Sequence, residues 1–229
     1  MKYKAVVFDM DGTLLDTIKD LGLSLNYSLE KCGYGKRSLE EIQSFIGNGV
    51  DVLITCAMPD ELKEGIDTDE RKKAEFIEKC KEVGAVFREY YVAHGEDNTV
   101  PYNGIIELLS SLKTSGVKVA VVSNKVQEAV DALNDRLFGG LIDASIGDRV
   151  GIRLKPYPDM IIDAMDRLSV DKTETVFVGD GDTDILSAKN AGIPCISVCY
   201  GYRTEEFLRA SGGTVFAHDV AELKRLLEA

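Results

Sequence analysis

The chain has 229 residues, 45% of them hydrophobic and 29% charged, enough for one large core or a core with a smaller companion. Its 39 acidic against 27 basic residues give a formal charge of −12, which argues against nucleic acid or an anionic membrane as partner. No apolar run approaches the ~20 residues of a bilayer span. The apolar start stops at aspartates, unlike a signal peptide, and five cysteines without a framework spacing suit reduced thiols, so a cytoplasmic protein is expected.

In chain order, "KYKAVVFDMDGTLLD" places a buried strand at Ala5–Phe8 that ends abruptly in Asp9 and Asp11. From about residue 16 to 96 the pattern turns helical: "IKDLGLSLNYSLEKCG", "LEEIQSFIG", "GVDVLITCAM" and "DERKKAEFIEKCKEVGAVFREYYVAHG" are amphipathic and contain no convincing strand. Alternation of strand and helix then begins. A helix in "YNGIIELLSSLKTSG" presents Ile105, Leu108, Leu109 and Leu112 on one face and stops at Gly116. A strand follows at Val117–Val122, and a weaker one at Ala144–Ile146. Helix "PDMIIDAMDRLSV" has Pro158 in its first turn and Ile161, Ile162, Met165 and Leu168 at helical spacing. Strand Thr175–Val178, helix "DTDILSAKNAG" ending at Gly192, and a second weaker strand at Cys195–Val198 complete the series.

This alternation predicts an α/β fold with a doubly wound parallel sheet, interrupted by an inserted all-helical domain. The expected division is a core of residues 1–15 and 97–229 and a helical domain of residues 16–96, with linkers near Leu15–Asp16 and Glu96–Pro101. Cys195 and Cys199 stand four apart with no histidine close in sequence, so no zinc site is expected there.

Ligands of open parallel sheets bind beyond the carboxyl ends of the strands. The groups predicted at those ends are Asp9 and Asp11, Ser123-Asn124, Lys155 in "RLKPYPD", and "GDGDTD" from Gly179 to Asp184. Clustered carboxylates repel unless a cation sits among them, and hard oxygen donors with few histidines point to Mg²⁺. An EF-hand reading of "DMDGT" or "DGDTD" fails, because Leu14 or Ile185 stands where the loop needs glycine. Helix capping remains an alternative for Asp182 or Asp184, a turn for Ser123-Asn124, and a solvated surface charge for Lys155. The proline after Lys155 favours extended backbone there, which can aim the side chain into the cleft.

In this order, "DMDGTLLD", "VVSN", "LKPYPD" and "VGDGDTDI" resemble the four motifs of haloacid-dehalogenase-superfamily phosphatases. "FIGNGVDVL", "TVPYNGI", "VSNK", "KPYPD" and "CYGYR" resemble the phosphoglycolate-phosphatase branch, although "IGDRVGIRLKP" departs from its usual pattern. The resemblance implies that the helical insert is a mobile cap closing over the site. It implies Asp9 as a nucleophile forming an aspartyl phosphate, and Asp11 as general acid and then base. Mg²⁺ would be held by Asp9, the Asp11 backbone, Asp180 and Asp184. Ser123, Asn124 and Lys155 would bind the phosphoryl oxygens, with Gly12 and Thr13 shaping the loop.

An aspartate at position 11 favours phosphoryl transfer over dehalogenation, since a halide needs no acid. The expected activity is Mg²⁺-dependent hydrolysis of a small phosphorylated metabolite, with 2-phosphoglycolate first. A pyrophosphatase, nucleotidase or sugar-phosphate mutase could use the same groups. A phospho-accepting receiver domain fits poorly, because it is compact and lacks an inserted bundle. Gly47-Asn48-Gly49 could turn amides toward a substrate carboxylate or merely join two helices. Arg203 could meet the leaving group or cap its loop. His94 and His218 are expected at the surface or in linkers, and monomer and homodimer are equally compatible with the sequence.

Overall fold

The computed structural model describes residues 2–229. In chain order the elements are β1 (Ala5–Phe8), β2 (Leu15–Asp16), α1 (Ile18–Lys31), α2 (Leu39–Phe45), α3 (Val50–Ala57) and α4 (Glu70–His94). They continue with β3 (Val100–Pro101), α5 (Ile105–Thr114), β4 (Lys118–Val126), α6 (Gln127–Phe138), β5 (Ala144–Asp148) and α7 (Asp159–Leu168). The last are β6 (Thr175–Gly179), α8 (Asp182–Ala191), β7 (Cys195–Val198), α9 (Glu205–Ala210), β8 (Phe216–Ala217) and α10 (Val220–Glu228). Contacts divide the chain into two compact units, one running to Asp16 and resuming at Val100–Ala229, the other Thr17–Thr99.

The first unit is built on a six-stranded sheet in the order β5-β4-β1-β6-β7-β8, with every neighbouring pair parallel. Both faces are apolar because alternate residues of each strand supply opposite sides. Val6, Phe8, Val119, Val121, Val176 and Val178 pack with Ile105 and Leu109 of α5, Leu133 of α6 and Leu223 of α10. Ala5, Val7, Ala120, Val122 and Phe177 pack on the other face with Met160, Ile161 and Ala164 of α7 and Ala188 of α8. Burying each such valine or phenylalanine contributes about 1.5–3 kcal/mol, so both layers of helices are held by the sheet.

Several details differ from the sequence reading. β4 runs four residues past Val122, and its pairing with β5 shifts register between Val122 and Val126. The segment bearing Ser123-Asn124 is therefore strand and bulge, not a turn or cap; the residue before α6 is Val126. In α7 the buried face uses Met160, Ile161, Ala164 and Met165, while Ile162 is exposed. The expected linkers are paired: Leu15–Asp16 lies antiparallel to Val100–Pro101, and the Tyr102 amide donates to the Leu14 carbonyl at 3.1 Å. The five cysteines are free and half-buried, with Cys195 packed against the α7–α8 layer of the core.

The second unit is helical, with a core drawn from Leu21, Leu25 and Leu29 of α1, Ile42 of α2, Leu53 and Ile54 of α3, and Phe76, Val83 and Phe87 of α4. Its helix starts are specified locally. Ser38 and Glu41 form a reciprocal capping box on α2, and Asp69 caps α4 through the amides of Arg71 and Lys72. Asp20, buried on α1, accepts hydrogen bonds from the Asn98 and Thr99 amides at 2.8 Å each, and so ties the end of the unit to its beginning. Among the described residues no helix is long and apolar enough to cross a membrane.

Candidate active site

The strand register brings the predicted motifs to one edge. Phe8 is level with Val121 of β4 and Val178 of β6, so Asp9, Ser123 and Asp180 follow within two residues of a common line. The chain steps outward from β1 through β4 to β5, then returns to β6 on the other side of β1. That reversal opens a crevice between adjacent connections at the carboxyl ends, where doubly wound sheets bind ligands.

Asp9, Asp180 and Asp184 converge there with carboxylate oxygens within 4.8 Å of one another, and all three are buried. The Lys155 ammonium lies between two of them, 2.6 Å from Asp9 Oδ1 and 2.7 Å from Asp184 Oδ1. Lys155 is 4% exposed, which excludes the solvated-surface reading. Its backbone is clamped by the Asn124 side chain, whose Oδ1 accepts from the Lys155 amide at 2.8 Å while Nδ2 donates to the Lys155 carbonyl at 3.0 Å. Asn124 is thus a clamp on the lysine.

The loop after β1 is fixed by close approach. Gly12 has φ of 83°, and a Cβ there would stand 2.3 Å from Asp180 Oδ2. Glycine is required at that position by its positive φ and by the close approach of the Asp180 carboxylate and the Tyr202 ring. A Cβ on Gly201 would lie 2.3 Å from the Gly12 carbonyl, so the "CYGYR" loop is pressed against the same turn. The Thr13 hydroxyl donates to Asp180 Oδ1 at 3.3 Å, the Tyr202 amide donates to Oδ2 at 2.7 Å, and the Tyr200 hydroxyl donates to the Thr13 carbonyl at 3.2 Å. Asp184 holds the third position in α8, where Oδ2 accepts from the Gly181 amide at 2.9 Å. It therefore caps the helix with one oxygen and serves the cluster with the other.

The electrostatics follow from this crowding. Burial, then the Asp184 charge, raise the Asp9 carboxyl well above the usual range despite Lys155. Burial and Asp184 also push Asp180 up to about 7, against the opposing Tyr202 amide, Lys155 and Arg203. Burial works against the Lys155 ammonium, but Asp184 and Asp9 outweigh it and hold its pKa above the ordinary lysine range. Three buried oxygen donors with a shortfall of positive charge fit a hard divalent cation such as Mg²⁺.

Asp11 stands apart from this cluster: its Oδ1 pairs with the Lys125 ammonium at 3.2 Å. Lys125, buried at the end of β4, was not among the predicted site residues. The longer strand is what carries it to the edge, and the lysine directly after "VVSN" was the available signal. Ser123 is buried at the same edge, and its hydroxyl accepts from the Lys125 amide at 3.3 Å. Arg203 acts on Asp180 and lies over the Phe207 ring at 5.5 Å. Gly47, Asn48 and Gly49 belong to the helical unit, between α2 and α3, where Gly47 and Gly49 have φ of 120° and 85°. His94 ends α4 and pairs with Asp97, whereas His218 has carboxylate partners that its sequence neighbourhood only half revealed.

Residues 6–198 match the family model described as haloacid dehalogenase-like hydrolase. The chain belongs to this family. It is 31% identical to a phosphoglycolate phosphatase of Vibrio parahaemolyticus over 96% of this chain and 94% of that one. It is also 31% identical to a phosphoglycolate phosphatase of Aquifex aeolicus, over 87% of this chain and 86% of that one. A crystal structure from Lactobacillus delbrueckii subsp. bulgaricus, provisionally named a phosphoglycolate phosphatase, superposes with a TM-score of 0.89 at 37% identity over 99% of both chains.

Proposed function

We propose that this phosphatase hydrolyses a small phosphorylated carboxylate, 2-phosphoglycolate before others, with Mg²⁺ as its resident ion. One observation carries the assignment of roles. Asp9 and Asp11, two residues apart, are divided between different ammonium groups, Lys155 at 2.6 Å and Lys125 at 3.2 Å. Carboxylates in different surroundings can do different work.

Asp9 is the nucleophile. Its carboxylate attacks phosphorus, the bond to the ester oxygen breaks, and an aspartyl phosphate forms. Asp11 donates its proton to the departing alkoxide. It then takes a proton from the water that attacks the phosphoaspartate, which releases inorganic phosphate and restores both carboxyl groups. Lys155 opposes the burial and the Asp184 charge that favour protonation of Asp9, and offers its positive charge to the phosphoryl oxygens as negative charge moves onto them. Ser123 supplies a hydroxyl to the same oxygens. Asp9, Asp180 and Asp184 would hold Mg²⁺, which supplies neutralisation of the phosphoryl charge.

The test is phosphate release from a metabolite panel, with Mg²⁺ and again with chelator. The panel contains 2-phosphoglycolate, pyrophosphate, nucleoside monophosphates and hexose phosphates. Phosphoglycolate is expected to lead by at least tenfold in kcat/KM, with activity lost on chelation. Equal rates across the panel would remove the substrate assignment, and turnover that survives chelation would remove the metal.

A further inference from the structure

A second constellation lies at the far side of the sheet's carboxyl edge, where β7 and β8 end. Cys199 follows β7, His218 follows β8, and Glu205 opens α9. One donor atom from each, a sulfur, a nitrogen and a carboxylate oxygen, falls within 4.8 Å of the others. The parallel pairing of Val198 with Ala217 creates this meeting, since it sets the next residues, Cys199 and His218, side by side. The Cys199 amide donating to the Ala217 carbonyl at 2.8 Å fixes that register. The histidine that "CISVC" lacked in sequence is supplied by the neighbouring strand.

The imidazole is held at both nitrogens. Nδ1 lies 2.8 Å from Glu222 Oε2, and Nε2 lies 2.7 Å from Glu205 Oε2. The His218 amide also donates to Glu222 Oε2 at 2.8 Å, so Glu222 locks the ring from behind. Glu205 is oriented in turn, because its other oxygen pairs with Arg209. A carboxylate on one ring nitrogen of a histidine, with the other nitrogen facing a second carboxylate and a thiol within 4.8 Å of the ring's donor atom, matches the outer-shell arrangement of metal-binding histidines.

We propose that Cys199, His218 and Glu205 form a binding site for a borderline-soft transition-metal ion of the Zn²⁺ class, with Glu222 as the orienting partner of His218. The donor set differs from the all-oxygen cluster of Asp9, Asp180 and Asp184, and so does its selectivity: thiolate and imidazole favour Zn²⁺ or Co²⁺ over Mg²⁺. Loading requires a thiolate and an unprotonated ring nitrogen, so the thiol proton and any proton on that nitrogen leave to solvent as the ion binds. Tetrahedral ligands at about 2.0–2.1 Å sit roughly 3.3 Å apart. The 2.7 Å contact between Glu205 and His218 must therefore open by about half an ångström, within the reach of partly exposed side chains. Three protein ligands leave a fourth position for water.

The probe is Co²⁺, titrated into the full, chelator-stripped chain under a metal-free reductant and followed by absorption. A thiolate-to-cobalt charge-transfer band saturating at one equivalent and displaced by Zn²⁺ is expected. Cys199→Ser should abolish it, His218→Gln should weaken Co²⁺ binding at least tenfold, and Asp180→Asn should leave it intact. Absence of the band, its survival in Cys199→Ser, unchanged affinity in His218→Gln, or its loss in Asp180→Asn would each overturn the proposal. Circular dichroism of the three variants checks that the fold is retained; His218 is exposed and Cys199 half-buried, each one residue beyond its strand.

Discussion

Asp20 in the helical unit and Asp180 in the core are almost equally inaccessible, at 1% and 4% exposure, yet their surroundings are opposite. Asp20 is saturated by its own chain: the Asn98 amide and side chain and the Thr99 amide and hydroxyl all donate to it, at 2.7–2.9 Å. Asp180 has the Thr13 hydroxyl and the Tyr202 amide as donors, but Asp9 and Asp184 as neighbours. A carboxylate that holds a fold together is satisfied by neutral donors. One kept for chemistry is buried against like charge, so that a proton, an ammonium or a metal ion is needed to relieve it.

The largest effect expected from this contrast is on Asp9. Asp9→Asn removes the oxygen proposed as nucleophile with almost no change of shape, and turnover should fall by about 10⁴-fold or more. Thermal stability should hold steady or rise, because one negative charge leaves the cluster. A variant that keeps a tenth of wild-type phosphate release would refute the nucleophile assignment. The complementary substitution is Asp20→Ala, which strips four donors of their common acceptor inside a buried site. Urea unfolding should show a loss of about 3 kcal/mol; a loss below 1 kcal/mol would mean that water replaces the carboxylate.

The same contrast carries a pH dependence. Asp180 titrates near 7 in the folded core against an ordinary value of 3.8, so in metal-free protein the folded state holds a proton that the unfolded state releases. Its contribution to stability is present below about pH 4 and is lost as pH rises through 7. Mg²⁺ reverses the balance by favouring the ionised form. At a hundredfold excess over its Kd it should stabilise by about 2.7 kcal/mol, and at pH 5.5 the same concentration should do markedly less, since protons compete for the site. Thermal melts with and without Mg²⁺ at pH 5.5 and 8 measure this; an equal shift at both would place the metal away from Asp180.

What was legible in the sequence divides along similar lines. The strands bearing Asp9 and Asp180 are uninterrupted β-branched runs covered on both faces, and such runs announce themselves and end sharply at the first carboxylate. The helices of the insert were readable from amphipathic period, while the caps Ser38 and Asp69 emerge only in the structure. The extension of β4 was not, because Ser123-Asn124-Lys125 has turn-like composition and is kept extended by bulged pairing with β5. The pairing of Leu15–Asp16 with Val100–Pro101 and the short strand Phe216–Ala217 are two residues long, below any periodicity. Relations between loops were hidden for a different reason. That Gly12 must yield to the Asp180 carboxylate, or that Cys199 meets His218, depends on register between strands distant in sequence.

Lys125 is the residue that the shorter strand concealed, and its expected effect is the smallest of the set. Asp11 Oδ1 is buried without an aligned hydrogen bond among the described residues, so the 3.2 Å ion pair with Lys125 is what orients it. Lys125→Met keeps the length and the apolar stem while removing the charge. Released, Asp11 should sample positions from which it reaches the leaving oxygen less often, lowering kcat about 10–100-fold, or roughly 1.4–2.7 kcal/mol of transition-state stabilisation. The leaving group separates this positioning role from a general loss of positive charge. An aryl phosphate departs as a weakly basic phenoxide and needs little help from an acid, so its rate should fall several-fold less than that of an alkyl ester. Equal losses for both would assign Lys125 to the phosphoryl group, and the division of Asp9 and Asp11 between separate lysines would then lose its mechanistic meaning.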